Sequence, residues 1–250
     1  MTKIAVFDSG MGSLSIIKPI QKRIKAEIIY FADQKNYPYG TKTVPQLDKI
    51  IKSTIVTLQK KFSPDVIVVG SNTPSLLLNI EKKDKIIGVY PPLREAASKT
   101  RSGKIGILAT KAVVKSKAFD RYIKKNVPNK IHVTKINATP LVDLVESGKF
   151  ISQKQLSKDI IQKIMKPHVE NNIDVFTLSS THLPFLVPML KELFPCITFL
   201  DPADTVAKHV VKISKHNSKR SRLKIYASGN VSTFQKQLQK IGIKNKVNPL

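Results

Sequence analysis

Short apolar runs alternate along this chain with longer stretches in which apolar positions recur three and four residues apart. Residues 3–8 (KIAVFD) open the pattern as a buried strand, followed by Gly10, Gly12 and a helical periodicity. Further strands are expected at 28–32, 66–70, 86–89, 105–109, 131–136, 175–179 and 197–200, with a late one at 224–227. Between them, residues 44–62 place Leu47, Ile50, Ile51, Thr54, Ile55 and Leu58 on one helical face. Thr43 is positioned to cap that helix and Pro45 suits its first turn. Residues 153–171 read as another helix, which Pro167 is expected to bend or end. Strands that are apolar throughout, alternating with helices, predict parallel sheets covered on both faces.

A faint internal repeat accompanies the alternation. Residues 3–9 align with 104–110, and residues 65–73 align with 174–182. Two matched strand ends in the same order suggest two similar α/β halves, although any two short apolar strands look alike. In the repeat, Ser71 and Ser180 are equivalent: each follows a strand and opens a turn. Ligands of open α/β sheets bind at the carboxyl ends of strands. Two such halves facing each other would aim both serines into one cleft.

At 250 residues and 41% hydrophobic composition, the chain can bury a substantial core. No leader-like N-terminus and no apolar run of bilayer-spanning length appear, so a soluble cytoplasmic protein without a membrane partner is expected. The lone cysteine, Cys196, excludes an intrachain disulfide framework and a cysteine-rich zinc site. The formal charge is +26, from 43 Lys+Arg against 17 Asp+Glu. Lys104, Lys111, Lys115, Lys117, Arg121, Lys124 and Lys125 form one dense region; Lys215, Lys219, Arg220, Arg222 and Lys224 form another. No zinc-finger spacing or RNA-binding aromatic motif accompanies them. A solvated basic surface is the favoured reading, with weak, non-specific nucleic-acid contact as the rival.

Several strings carry chemistry. Asp8-Ser9-Gly10-Met11-Gly12-Ser13 runs from a strand through a glycine turn into a helix, where backbone N–H groups can hold an anion. It is not a Walker loop, since no Gly-Lys-Ser/Thr follows. Asp8 either orients a ligand or catalytic group or caps the next helix. Pro38-Tyr39-Gly40-Thr41-Lys42-Thr43 is a turn offering hydroxyls and close backbone approach, or an ordinary connection ending in a cap. Ser71-Asn72-Thr73 and Ser180-Thr181-His182 each gather three polar side chains at the end of an apolar strand. That is expensive in a core and natural beside a polar ligand. His182 is the strongest acid/base candidate of the five histidines by this placement. No Gly-x-Ser-x-Gly elbow surrounds Ser71 or Ser180.

Together these strings resemble the glutamate racemase family, within the aspartate/glutamate racemase superfamily. Pro140-Leu141-Val142-x-Leu144-Val145-Glu146, Ser180-Thr181-His182-x-Pro184 and Asp201-Pro202-Ala203 extend the likeness, in order, over nearly the whole chain. The resemblance implies two parallel-sheet α/β domains with the active-site cleft between them. The N-terminal domain would comprise 1–95 plus 211–250, and the second 96–210. It also implies cofactor-independent racemisation of glutamate: one cysteine thiolate removes the α-proton, and a second thiol delivers a proton to the opposite face. The motifs place those cysteines at Ser71 and Ser180, with Asp8 and His182 matching the residues that assist them. Ser9, Tyr39, Gly40, Asn72, Thr73 and Thr181 match substrate-contacting positions, and Glu146 matches a glutamate near the second side of the site. A homodimer is a further expectation.

This sequence departs from the family pattern where the chemistry lies. A thiol ionises near 8.5, whereas a serine hydroxyl is negligibly ionised at neutral pH and needs an adjacent base even as a nucleophile. The two-thiol mechanism is therefore expected to be absent, and activity weak or altered. Val113 stands where threonine is frequent, and Ser13 replaces a second glycine of the first motif. Cys196 lies too late in the chain to substitute for either base. Three functions remain open: a weakened racemase, a non-catalytic binder of an amino acid or small dicarboxylate (a pseudoenzyme), and a basic nucleic-acid-associated protein. Retained polar residues favour the first two.

Overall fold

The computed structural model describes residues 2–80, 85–214 and 220–250. In chain order the elements begin with β1 (Lys3–Asp8), α1 (Leu14–Arg23), β2 (Glu27–Ala32), α2 (Val44–Phe62), β3 (Val66–Val69), α3 (Asn72–Leu77) and β4 (Ile86–Gly88). They continue with α4 (Leu93–Lys99), β5 (Lys104–Ala109), α5 (Lys111–Val114), α6 (Lys117–Asn126), β6 (His132–Asn137), α7 (Thr139–Glu146), α8 (Lys149–Ser152), α9 (Lys154–Glu170), β7 (Val175–Ser179), α10 (Val187–Leu193) and β8 (Thr198–Leu200). Last come α11 (Ala203–Ile213), β9 (Arg222–Ala227), α12 (Val231–Lys240) and β10 (Val247–Pro249). Two compact units result: one runs to Val89 and resumes at Ala203, and the other is Tyr90–Pro202. Both boundaries fall earlier than the sequence-derived 95/96 and 210/211. The second moves because α11, whose buried residues include Val206, Ala207 and Val210, packs against α1 in the first unit.

The first unit holds a parallel sheet in the order β10-β9-β2-β1-β3-β4. Its centre is fully apolar: Ile4, Ala5, Val6 and Phe7 of β1 and Val66 and Val68 of β3 are completely buried. Such strands require helices on both faces. One of these, α2, begins with a capping box in which Gln46 N donates to Thr43 Oγ1 at 3.4 Å and Thr43 N donates to Gln46 Oε1 at 3.0 Å. Leu47, Ile51, Thr54 and Leu58 form its buried stripe, and Ser63 ends it in the left-handed conformation.

The second unit holds a parallel sheet in the order β6-β5-β7-β8. Pro167 does not end α9, which continues to Glu170. The proline forfeits one intrahelical bond only a turn from the terminus, and Asn171 Nδ2 donates to its carbonyl at 2.9 Å.

The internal repeat is visible in strand register. In the first unit Ile4 pairs with Val66, and in the second Ile105 pairs with Val175. These four are the residues that the sequence repeat equates. The surrounding orders β2-β1-β3-β4 and β6-β5-β7-β8 correspond strand for strand. Even the residue before the third strand is used alike. Asp65 Oδ2 accepts from Lys3 N at 2.9 Å, and Asp174 Oδ2 accepts from Arg101 N at 2.7 Å and Ser102 N at 3.1 Å.

Candidate functional site

Each unit gathers polar groups at the carboxyl ends of its central strands, and each set is built from local chain geometry. In the first unit, β1 delivers Asp8, 1% exposed, whose Oδ1 accepts from Ser9 N at 2.7 Å. Asp8 does not cap α1, because the N-cap residue is Ser13. Ser9 is buried, and Gly10 O accepts from the buried Tyr30 hydroxyl at 2.6 Å. The Leu14, Ser15 and Ile16 N–H groups are committed to the carbonyls of Met11, Gly12 and Ser13. Ser13 is fully buried and abuts Gly70: a Cβ built at position 70 would lie 2.4 Å from Ser13 Cβ. The absence of a side chain at the end of β3 is what admits serine in the glycine turn.

Beyond β3, Ser71 is half-buried and is the N-cap residue of α3, with no side-chain capping bond. Its carbonyl accepts from Ser75 Oγ at 2.7 Å, and Ser75 Oγ in turn accepts from Val89 N at 2.9 Å. Asn72 Nδ2 donates to Val89 O at 3.2 Å. This fixes the amide orientation, since the reverse would oppose two carbonyl oxygens. Asn72 Oδ1 is buried and, among the described residues, has no hydrogen-bond partner. Thr73 is buried beside it.

The loop after β2 is organised by Asp33, which the sequence reading did not single out. Its carboxylate is 3% exposed and accepts from Asn36 Nδ2 at 2.9 Å, Tyr39 Oη at 3.1 Å and Ser228 Oγ at 3.2 Å. Tyr39 is itself buried in the core with Phe7, Phe31 and Leu47. Burial, then the charges of Asp33 and Asp8, hold its hydroxyl well above the ordinary phenol range. That hydroxyl is committed to Asp33, so only the backbone of Tyr39 and Gly40 remains to meet a ligand. The available signal was a lone acidic residue ending the buried run 28–32.

In the second unit, β7 ends in Ser179 and is followed by Ser180, Thr181 and His182, all buried. Thr177 and Ser179 hydroxyls lie 2.9 Å apart. Leu183 N donates to Ser180 O at 3.1 Å, starting the 3-10 turn Leu183–Leu186 that replaces the helix following Ser71. His182 Nε2 lies 2.7 Å from Glu146 Oε2, with side chains 6% and 14% exposed. Glu146 is the last residue of α7, which packs on that turn. With Glu146 Oε2 as acceptor, Nε2 is the hydrogen-bearing nitrogen and Nδ1 is left as the acceptor of the ring. Val113 is fully buried, and Cys196 is exposed, ahead of β8. Among the described residues no His, Cys, Asp and Glu cluster could hold a metal ion, and no helix is long and apolar enough to cross a membrane.

Paired parallel α/β units with strand-end polar groups match the two-domain racemase fold. The structure superposes on glutamate racemase isoform RacE1 from Bacillus anthracis with a TM-score of 0.86, at 23% identity, over 100% of this chain and 97% of that one. Escherichia coli glutamate racemase, solved with L-glutamate and the activator UDP-MurNAc-Ala, gives 0.84 at 23% identity, over 100% and 98% of the two chains. No protein-family model matches the sequence. Among curated relatives, glutamate racemase of Bartonella tribocorum is 30% identical over 217 residues, covering 83% of this chain and 78% of the relative. That of Gloeobacter violaceus is 29% identical over 205 residues, covering 80% and 76%. The chain belongs to the glutamate racemase family.

Proposed function

We propose that this chain binds glutamate or a closely related dicarboxylate through its strand-end polar groups, and racemises it far more slowly than a relative with two thiols. The observation that carries the binding reading is Asn72 Oδ1, a buried carbonyl oxygen without a partner among the described residues, beside Ser71. Leaving such a group unsatisfied costs about 1–3 kcal/mol, and a ligand ammonium or N–H would remove that penalty. Ser9, Tyr39, Gly40, Thr73 and Thr181 complete the contacts in this reading, Tyr39 and Gly40 through their backbone.

Catalysis in the family needs a base on one face of the α-carbon and an acid on the other. On this reading Ser71 and Ser180 occupy those places. A hydroxyl can donate a proton but is not deprotonated at neutral pH, so it abstracts the α-proton only if a neighbour takes its own. Asp8 is the neighbour assigned in the first unit. In the second it is His182, whose ring Glu146 supports. Routing the proton through a serine replaces a matched base with a mismatched one, and each well-matched acid–base group is worth about 10²–10⁴ in rate. No cofactor enters this reading. Taken to zero turnover, the same contacts describe a binder, which the two serines favour.

The test uses the purified chain and L-glutamate, with D-glutamate quantified by chiral chromatography over hours. Turnover at least about 10³ below the roughly 10 s⁻¹ enzyme median is expected. Turnover near that median would sink the slow-racemase reading. Calorimetric titration with L- and D-glutamate and aspartate tests binding separately, and no heat with any of them would remove the ligand assignment.

A further inference from the structure

The second unit carries a cationic surface that the racemase reading does not use. Helix α6 presents Lys117, Arg121, Lys124 and Lys125, all exposed, at relative positions i, i+4, i+7 and i+8. That spacing puts them on one face of about 100°, opposite the buried Phe119. The stripe runs about 12 Å along the helix axis. Exposed Lys111 and Lys115 precede it, and exposed Lys130 follows it.

Local acids do not balance this charge. Between Thr110 and Asn137 the only acidic residue is Asp120. Its carboxylate pairs with Lys135 of the edge strand β6 at 2.7 Å, not with a stripe residue. Among the described residues, none of the other seven cations of this segment is in an ion pair. Helix stability does not explain the stripe. Lys117 with Arg121, and Arg121 with Lys125, are like charges four apart, which repel. Lys117 occupies the first turn of α6, where the helix dipole disfavours a cation, and only Lys124 and Lys125, in the last turn, are favoured by it. A surface that breaks several local rules in one place, without compensation inside the fold, points to a partner outside it.

The shape and chemistry select among polyanions. Beside the stripe lies a shallow concavity of about 590 Å³ lined by Lys124, Lys130 and His132 of β6. The exposed large apolar side chains of the described residues are Val44, Val56, Leu156 and Val211, and none is on α5, α6 or β6, so a bilayer would find nothing to insert. Tyr122, the aromatic residue of α6 other than the buried Phe119, stacks on Tyr90 at 5.4 Å and donates its hydroxyl to Pro91 O at 3.0 Å. It is therefore not available to stack on bases. Cations without a reading group contact phosphates and carry no sequence information.

We infer that the α6 stripe, with Lys130, is a docking surface for the phosphate backbone of double-stranded nucleic acid, bound without sequence preference. It does not depend on the racemase reading. The test is fluorescence anisotropy with two unrelated labelled duplexes of about 20 base pairs, at about 50 mM and about 200 mM salt. Two variants of equal net charge are compared with the parent: Lys117→Glu/Arg121→Glu/Lys125→Glu on the stripe, and Lys49→Glu/Lys60→Glu/Lys61→Glu on the exposed face of α2. Circular dichroism verifies folding, and glutamine replacements at the same positions serve if a reversal variant does not fold. The stripe variant should bind both duplexes at least about 10-fold more weakly, while the α2 variant changes by less than about 3-fold, and parent affinity should fall steeply with salt. Equal losses in the two variants would assign binding to overall charge and overturn the site. So would undetectable duplex binding by the parent at low salt, or a strong preference between duplexes. Retained binding of an acidic peptide without duplex binding would overturn the nucleic-acid assignment.

Discussion

The Tyr39 hydroxyl donates to Asp33 Oδ2 at 3.1 Å inside the first unit, and so ties the loop that carries Gly40 to the end of β2. Ser228, beyond β9, donates to the same carboxylate at 3.2 Å, so one buried group joins three chain segments. Asp33→Ala leaves the buried Tyr39 hydroxyl and the part-buried Asn36 and Ser228 donors without this acceptor and should cost about 3 kcal/mol in urea unfolding, against about 1 kcal/mol for Tyr39→Phe. The pH dependence has a definite sign. The folded-state Tyr39 value is raised, by burial first, so its contribution is complete below the unfolded value of about 10 and is lost as pH rises beyond it. Parent stability should therefore drop between about pH 9 and pH 11, and Tyr39→Phe should flatten that drop. An unchanged alkaline limb would show that the hydroxyl is not held this way.

Asp174 predicts the acid limb. Burial pushes its carboxyl upward, but hydrogen bonds from Thr100 Oγ1, Arg101 N, Ser102 N and Ser102 Oγ outweigh this and hold it below the ordinary range. A depressed folded value means stabilisation that is present above the unfolded value of about 3.9 and disappears as pH falls through the folded one. Asp174→Asn should lower stability at neutral pH and show a shallower loss between about pH 5 and pH 2.5. Urea midpoints at four or five pH values measure it.

Gly70 and Ser13 should behave as a coupled pair. Gly70→Ala drives a methyl to 2.4 Å from Ser13 Cβ and 2.9 Å from Phe7 O, and should destabilise by about 1–3 kcal/mol. Adding Ser13→Gly relieves the first clash and leaves the second, so the double variant should recover part of the loss. A double-mutant cycle with no coupling would mean that the turn moves aside instead.

Thiols placed at both proposed base positions test the catalytic assignment directly. Ser71→Cys and Ser180→Cys should each leave racemisation near the parent level, while the double variant gains at least about 10²-fold, because inversion at the α-carbon needs a group on each face. Deuterium uptake at the α-carbon in heavy water separates abstraction from full inversion. A full gain from one replacement alone would remove the two-sided assignment.

Sequence pattern carried most of the sheets, since strands buried on both faces are continuous apolar runs, as in β1, β3 and β7. It did not carry β10, whose residues Asn248 and Pro249 lack strand propensity; a proline is tolerated there because β10 is an edge. Nor could it assign α11, whose apolar stripe is satisfied by any partner helix until the packing on α1 is known. Ser71 and Ser180 were legible because polar clusters ending apolar strands stand out. Asp33 was not, because its meaning depends on Ser228, far along the chain. Tyr39 was read for its hydroxyl, which the fold turns into the core. Lys215 and Lys219 of the second basic region lie outside the described residues.

The split of the first unit around an unbroken second one sets an order of assembly during synthesis. When Pro202 leaves the ribosome, all four strands of the second unit are present, and that unit can close on its own. At the same moment β2 still presents an unpaired, wholly buried-type edge, because its neighbour β9 has yet to be translated. An apolar strand waiting in that state is the segment most exposed to mispairing and to chaperone capture. The later domain in sequence is thus the earlier one to mature, and the nascent first unit is the aggregation-prone stage of this protein's life.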